Sequence, residues 1–305
     1  MLQVVSQAAL IILLGTLWKQ FRPAGLDAIS TRKVLTTFVY YLLLPALVLE
    51  VMWHAPLGIG TVQVAGMAWV GLLTSTALCF VAYHFLKVDD ATKGAMFLAA
   101  IFPNATYLGL PVLEASLGSW ARSVALQYDL FACTPFLFTV GILLAQRYGS
   151  SDHKIHPLRS LSRVPPLWAA LLGVALNLGG VPSPVWVNTL LNTLSVGVIP
   201  LMLFSIGLGL VWRQQWLRNL TVILPAALVQ LLICPLIVWA SAGALELPAE
   251  LSTAVVLEAA MPSMVLGIVL CDQFRLNTET YATCVTATTT ASLVTLPLWH
   301  SILVN

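Results

Sequence analysis

The chain has 305 residues, of which 59% are hydrophobic and only 9% charged. A soluble domain carries about a quarter charged residues, so a water-soluble fold is excluded and a membrane protein with almost no soluble mass is indicated. The net charge of +2 says little as a sum; its placement along the chain says more.

Apolar runs near the roughly 20 residues needed to cross a bilayer recur along nearly the whole length. They predict ten spans, at roughly 3–19, 34–54, 62–86, 92–115, 120–146, 165–181, 185–212, 219–243, 249–272 and 277–303. The first run lacks a basic leader and ends at Trp18-Lys19 without a small-residue cleavage site, so it reads as a span and not a signal peptide. Span two carries Pro45 amid apolar residues, and Asp90 reads as the helix cap of span four. Span four is interrupted by Phe102-Pro103-Asn104-Ala105-Thr106-Tyr107-Leu108-Gly109-Leu110-Pro111, and span five carries Asp129. The longest connection, about 148–164, is polar and forms the natural midpoint. Span seven repeats the single Pro of span two as Pro200, and span nine carries Glu258 and then Ala260-Met261-Pro262-Ser263-Met264-Val265-Leu266-Gly267. The five cysteines fall in apolar spans without paired or metal-like spacing and read as packing residues.

Of the 14 Lys and Arg residues, all but Arg122 fall in connections on one side of this ten-span plan. Cytoplasmic loops collect Lys and Arg, so both termini are expected outside the cytoplasm of a multi-pass cell (inner) membrane protein. Five spans per half is an odd number, so a duplicated half must lie upside down relative to its partner. The expected repeats are 1–147 and 165–305, joined by a cytoplasmic linker at 148–164. Pro45 answers Pro200, Pro103-Asn104 answers Pro262-Ser263, and Gly109 answers Gly267 with one residue gapped.

The two interruptions carry the functional reading. Irregular backbone at membrane depth survives only inside protein or beside a watery cavity, and a pair of broken spans, one per half, points to the substrate site of a secondary transporter. Each fragment's N-terminus carries about half a positive charge, so two fragments meeting at the midplane could hold an anion without Lys or Arg. The candidate substrate-binding residues are Pro103, Asn104, Ala105 and Thr106 in the first break and Pro262, Ser263 and Met264 in the second; Gly109, Pro111, Gly267, Pro45 and Pro200 shape the helix breaks. Acids inside a membrane usually face a cavity or a partner, which makes Asp129 and Glu258 candidates for coupling a proton or sodium ion. Glu50 and Glu114 lie nearer the outer ends. No histidine has metal-ligand spacing, no phosphate-binding loop is present, and no nucleophile–base pair suggests an enzyme.

Over its whole length the chain resembles the auxin efflux carrier family, in its bacterial branch. The resemblance rests on Pro103-Asn104-Ala105-Thr106-Tyr107-Leu108-Gly109-Leu110-Pro111, on Ala260-Met261-Pro262, on Pro200-Leu201-Met202-Leu203-Phe204-Ser205-Ile206-Gly207-Leu208, and on the ten-span plan. It implies an all-α fold of two inverted five-helix repeats with crossing helices four and nine, as in bile-acid and sodium/proton transporters. It further implies a scaffold of helices 1, 2, 6 and 7, a transport domain of helices 3–5 and 8–10, and a small organic anion as substrate. The central loop is much shorter than in the plant exporters, and the resemblance to the bacterial relatives implies a small mono- or dicarboxylate, auxin-like or malonate- or malate-like. The rival readings are a sodium/proton antiporter on the same fold and a non-transport membrane sensor. The expected partners are the organic anion and the lipid bilayer, with no nucleic acid and no cofactor beyond a coupled H+ or Na+; a homodimer is left open.

Overall fold

The computed structural model describes residues 2–150, 157–210 and 219–304. Part of the expected linker (151–156, with Lys154) and the basic end of span seven (Arg213 and Arg218) lie outside the described residues.

In chain order the helices are α1 (Gln3–Phe21), α2 (Ala28–His54), α3 (Ile59–Phe85), α4 (Asp90–Ile101), α5 (Leu110–Leu117), α6 (Ala121–Tyr148), α7 (Pro157–Leu161), α8 (Pro165–Leu178), α9 (Val185–Gly209), α10 (Leu220–Ala244), α11 (Ala249–Ala259), α12 (Gly267–Gln273) and α13 (Thr278–Val304). Helices α1, α2, α3, α6, α9, α10 and α13 are long and apolar enough to cross a membrane, and α8 is a shorter apolar helix. The segments 90–117 and 249–273 are each divided, the first into α4 and α5, the second into α11 and α12. Among the described residues the only β-type pairing is one antiparallel bridge between Pro103 and Ser263.

Two local expectations are corrected. Span two begins at Ala28 and not near residue 34, because the Asp27 carboxylate accepts the N–H groups of Ile29 and Ser30 and starts the helix there. Arg32 and Lys33 are therefore helical and not in a loop. At α4 the cap is Asp89, whose carboxylate accepts the Thr92 N–H at 2.9 Å, and Asp90 is the first helical residue. An N-cap side chain reaches the N–H two or three residues ahead, and Asp89 has that spacing to Thr92.

Proline shapes the long helices in a regular way. Four of the five widened turns with i→i+5 bonding among the described residues, Val39–Leu43, Ala105–Gly109, Asp129–Cys133 and Val229–Ile233, each end two residues before a proline: Pro45, Pro111, Pro135 and Pro235; the fifth, Leu137–Gly141, has none there. In each of the four, the residue before the proline donates its N–H five residues back, as Leu110 does to Ala105. The proline ring crowds the carbonyl four residues earlier and offers it no N–H, and opening the turn relieves that contact. The carbonyl so released still needs a donor at this depth. For Pro235 it is Leu231, whose carbonyl accepts the Trp299 indole N–H at 2.8 Å. Pro200 is placed differently: α9 turns at Val196 and Gly197, and Pro200 is the third residue of its second part, Val198–Gly209.

Candidate functional site

The site is built where the two divided segments meet. Proline disfavours helical backbone in the residue before it, and Phe102, before Pro103, is extended at φ −105° and ψ 107°. Asn104 is also non-helical. This short extended run lies antiparallel to its counterpart around Pro262. The Asn104 N–H donates to the Pro262 carbonyl at 2.8 Å, and the Met264 N–H donates to the Phe102 carbonyl at 2.9 Å. Each break thereby supplies part of what the other lacks, which is how irregular chain is kept inside a membrane protein.

A second layer fixes this crossing from α10 and α13. The Gln230 amide donates to the Met261 carbonyl at 2.8 Å, and the Tyr281 hydroxyl donates to the Met264 carbonyl at 2.6 Å. The Ser263 N–H donates to the Thr288 hydroxyl oxygen at 3.3 Å. Gly267 is required here because a Cβ would run into the Tyr281 hydroxyl. Gly109 ends the widened turn after the first break, and a Cβ there would run into the Glu258 carboxylate. Pro111 is the second residue of α5, at the start of the onward helix. Gln230, Tyr281 and Thr288 were not singled out from sequence. Gln230 was detectable as a lone amide in the apolar run Ala227-Leu228-Val229-Gln230-Leu231-Leu232; nothing in the sequence separates Thr288 from its many threonine neighbours.

Beside the crossing lies a cavity of about 420 Å³. Pro103, Asn104, Ala105, Thr106 and Tyr107 form part of its wall, with Met264, Val265 and Leu266 from the second break. Helix α2 contributes Thr36 to Val48, and α6 contributes Leu126 to Phe138, including Asp129 and Thr134. Of the sequence-predicted substrate residues, Pro103, Asn104, Ala105, Thr106 and Met264 therefore reach the cavity. Pro262 and Ser263 are buried behind its wall, where they hold the crossing.

Two fully buried hydrogen-bond donors in the wall have no protein partner: the Asn104 side-chain nitrogen, on a residue only 4% exposed, and the Tyr107 hydroxyl. A buried polar group without a partner costs about 1–3 kcal/mol, so these are places where a ligand's acceptor gains most. The widened turn from Ala105 runs on into α5, and its leading end adds partial positive charge. Among the described residues, Asp129 is the one acid in the wall, and no Lys, Arg or His lines it. Its carboxylate accepts the Thr106 hydroxyl and, at 3.1 Å, the Thr134 hydroxyl. Glu258 is fully buried outside the wall, and neither of its oxygens has a hydrogen-bond partner.

Comparison with known proteins agrees with a membrane-transport role. Residues 3–300 match the family model described as "Membrane transport protein". An uncharacterized transporter of Methanothermobacter thermautotrophicus is 31% identical over 99% of this chain and 98% of its own length. The uncharacterized transporter MJ1031 of Methanocaldococcus jannaschii is 24% identical over 100% of this chain and 99% of its own length. The uncharacterized transporter YfdV of Escherichia coli K12 is 24% identical over 72% of this chain and 71% of its own length.

Proposed function

The chain belongs to the membrane transport protein family, that of the auxin efflux carriers, and from that premise we propose that it is a secondary carrier for a small organic anion, a mono- or dicarboxylate, working by alternating access. In this reading the chain is two inverted five-helix repeats with ten spans, in which 90–117 and 249–273 are the crossing fourth and ninth. Helices 1, 2, 6 and 7 form a scaffold, and helices 3–5 and 8–10 move against it. Both termini lie outside the cytoplasm of the cell membrane, since the Lys- and Arg-rich connections share one side.

One observation carries the reading. The two breaks are hydrogen-bonded to each other, and the cavity beside them presents two unpartnered donors, Asn104 Nδ2 and the Tyr107 hydroxyl. The backbone N–H groups of Asn104 and Met264 are already engaged in the crossing, so the ligand's carboxylate is held by these side chains and by the helix start at Ala105. Asn104 and Tyr107 bind it, Thr106 orients Asp129, and Pro262 and Ser263 keep the crossing rigid.

The charge on Asp129 favours coupling to a cation. A helix N-terminus is worth about half a positive charge, and ionised Asp129 is a full negative charge in the same wall. Neutralising Asp129 with a proton or sodium ion therefore favours entry of a carboxylate. The test is a thermal-shift screen of the purified protein against mono- and dicarboxylates with sodium and pH varied. A ligand at 100 times its Kd stabilises by about 2.7 kcal/mol. The expected outcome is stabilisation by at least one carboxylate, deepened by sodium or by lower pH. A response to sodium or pH alone, with no organic anion active, overturns the carrier reading in favour of a sodium/proton antiporter, to which Asp129 in the cavity wall already lends support.

A further inference from the structure

A charged cluster of Glu50, Arg122 and Glu114 lies beyond one end of the cavity wall. Its wall on α2 runs from Thr36 to Val48, and Glu50 follows two residues later. Its wall on α6 runs back from Phe138 to Leu126, and Arg122 lies one turn before that. Arg122 Nη1 stands 3.8 Å from Glu50 Oε2, and Arg122 Nε stands 3.2 Å from Glu114 Oε2 on α5. All three side chains are mostly buried, at 19%, 17% and 28% exposure for Arg122, Glu50 and Glu114. The opposite end of the cavity is bordered by Val164, Pro166 and Gln273, next to the Lys- and Arg-rich connections. Arg122, the one basic residue placed away from those connections, therefore lies beyond the other end.

We infer that Glu50, Arg122 and Glu114 form a latch that seals the outer end of the cavity, and that Arg122 is a positioning residue whose release from Glu50 opens that end. The two contacts are unequal in a way that suits this role. Glu114 and Arg122 lie on consecutive helices, α5 and α6, and make the closer contact. The longer contact runs from α6 to α2, the two helices that face each other across the cavity. When α2 and α6 separate, Arg122 keeps Glu114 as its partner, so no unpaired charge is left in a low-dielectric setting. A single acid would leave the guanidinium stranded in the open state; two acids let the latch open and close.

The inference rests on the alternating-access reading, and its test needs no substrate. Val48→Cys places a thiol in the wall next to the latch, and the five native cysteines are buried. Its labelling by a membrane-impermeant maleimide is measured in vesicles of both orientations. Glu50→Gln and Arg122→Gln should raise labelling from the outer face by about tenfold and lower it from the cytoplasmic face, while Arg122→Lys stays close to the unmodified latch. Should a neutral variant fail to fold, Glu50→Asp, which keeps the charge but shortens the reach, should give a smaller shift in the same direction. Labelling that is unchanged from the outer face, or that rises from both faces together, overturns the latch. Either result leaves the carboxylate stabilisation of the preceding section unaffected, so the two ideas fail separately.

Discussion

The carboxylate of Glu258 occupies the space where a side chain at residue 109 would begin. A Cβ built on Gly109 would meet Oε2 directly and stand 2.6 Å from Oε1. The contact locks the helix after the first break against the helix before the second. It joins two residues that sequence reading had assigned to separate roles, a helix-breaker and an ion-coupling acid.

Gly109→Ala should therefore destabilise the protein. In an ordinary helical position the change gains about 0.5–1 kcal/mol, but overfilling a packed site costs about 1–3 kcal/mol, and here the second effect dominates. Thermal melting should show a lower midpoint for Gly109→Ala and a partial recovery when Glu258→Ala is added. Additive losses in that double-mutant cycle would show that the two positions are not in contact.

Asn104→Ala removes the unpartnered donor while its backbone bond to Pro262 stays. The ligand-free midpoint should move by no more than a few degrees. Affinity for the carboxylates found in the thermal screen should fall roughly 10- to 150-fold, the value of a hydrogen bond to a charged group at about 1.5–3 kcal/mol. Retained stabilisation by those carboxylates would remove Asn104 from the site.

Gln230→Leu tests the second layer. Gln230 is 1% exposed and donates to the Met261 carbonyl at 2.8 Å. The shorter apolar side chain leaves that carbonyl without this donor in the protein interior, at a cost of about 1–3 kcal/mol. The measured outcome should be a clear drop in melting midpoint together with weaker carboxylate stabilisation, because the crossing loosens. A midpoint equal to that of the unaltered protein would mean the bond is dispensable.

Asp27 should make the start of α2 sensitive to acid. Hydrogen bonds from Ser30, with smaller contributions from the Ile29 N–H and from Arg22, hold its carboxyl below the ordinary aspartate range. A folded-state pKa below the unfolded one adds stability at higher pH and loses it as pH falls through the folded value. Asp27→Asn keeps a cap acceptor but cannot titrate. The difference in midpoint between the two proteins should be constant above about pH 4, near the ordinary aspartate pKa, and shrink below it. A difference that stays flat into stronger acid would assign the cap no ionic component.

Much of the architecture was legible from residues alone because the bilayer imposes a strict and local rule. Any span must be apolar for about 20 residues and must satisfy its own backbone, so the long apolar runs and their Pro- and Gly-bearing interruptions stand out in one dimension. Sequence composition and pattern by themselves determined that this is a multi-pass helical membrane protein, broken at Pro103 and near Pro262. Local reach differs at α2, where the polar run Ser30 to Lys33 conceals the helix start at Ala28.

What the tertiary structure decided is which polar groups remain available. Two broken segments 159 positions apart at Pro103 and Pro262 are joined through Asn104, Pro262, Phe102 and Met264, and that pairing consumes backbone donors that each break, taken alone, leaves free. The assembled fold also turns Ser263 inward, leaves Asn104 and Tyr107 facing the cavity, sets Asp129 in the wall and Glu258 behind it, and brings Arg122 between two acids from different helices. Hydrogen-bond satisfaction is a property of the assembled interior, since each donor's fate depends on a partner far away in the chain, and no one-dimensional pattern records it.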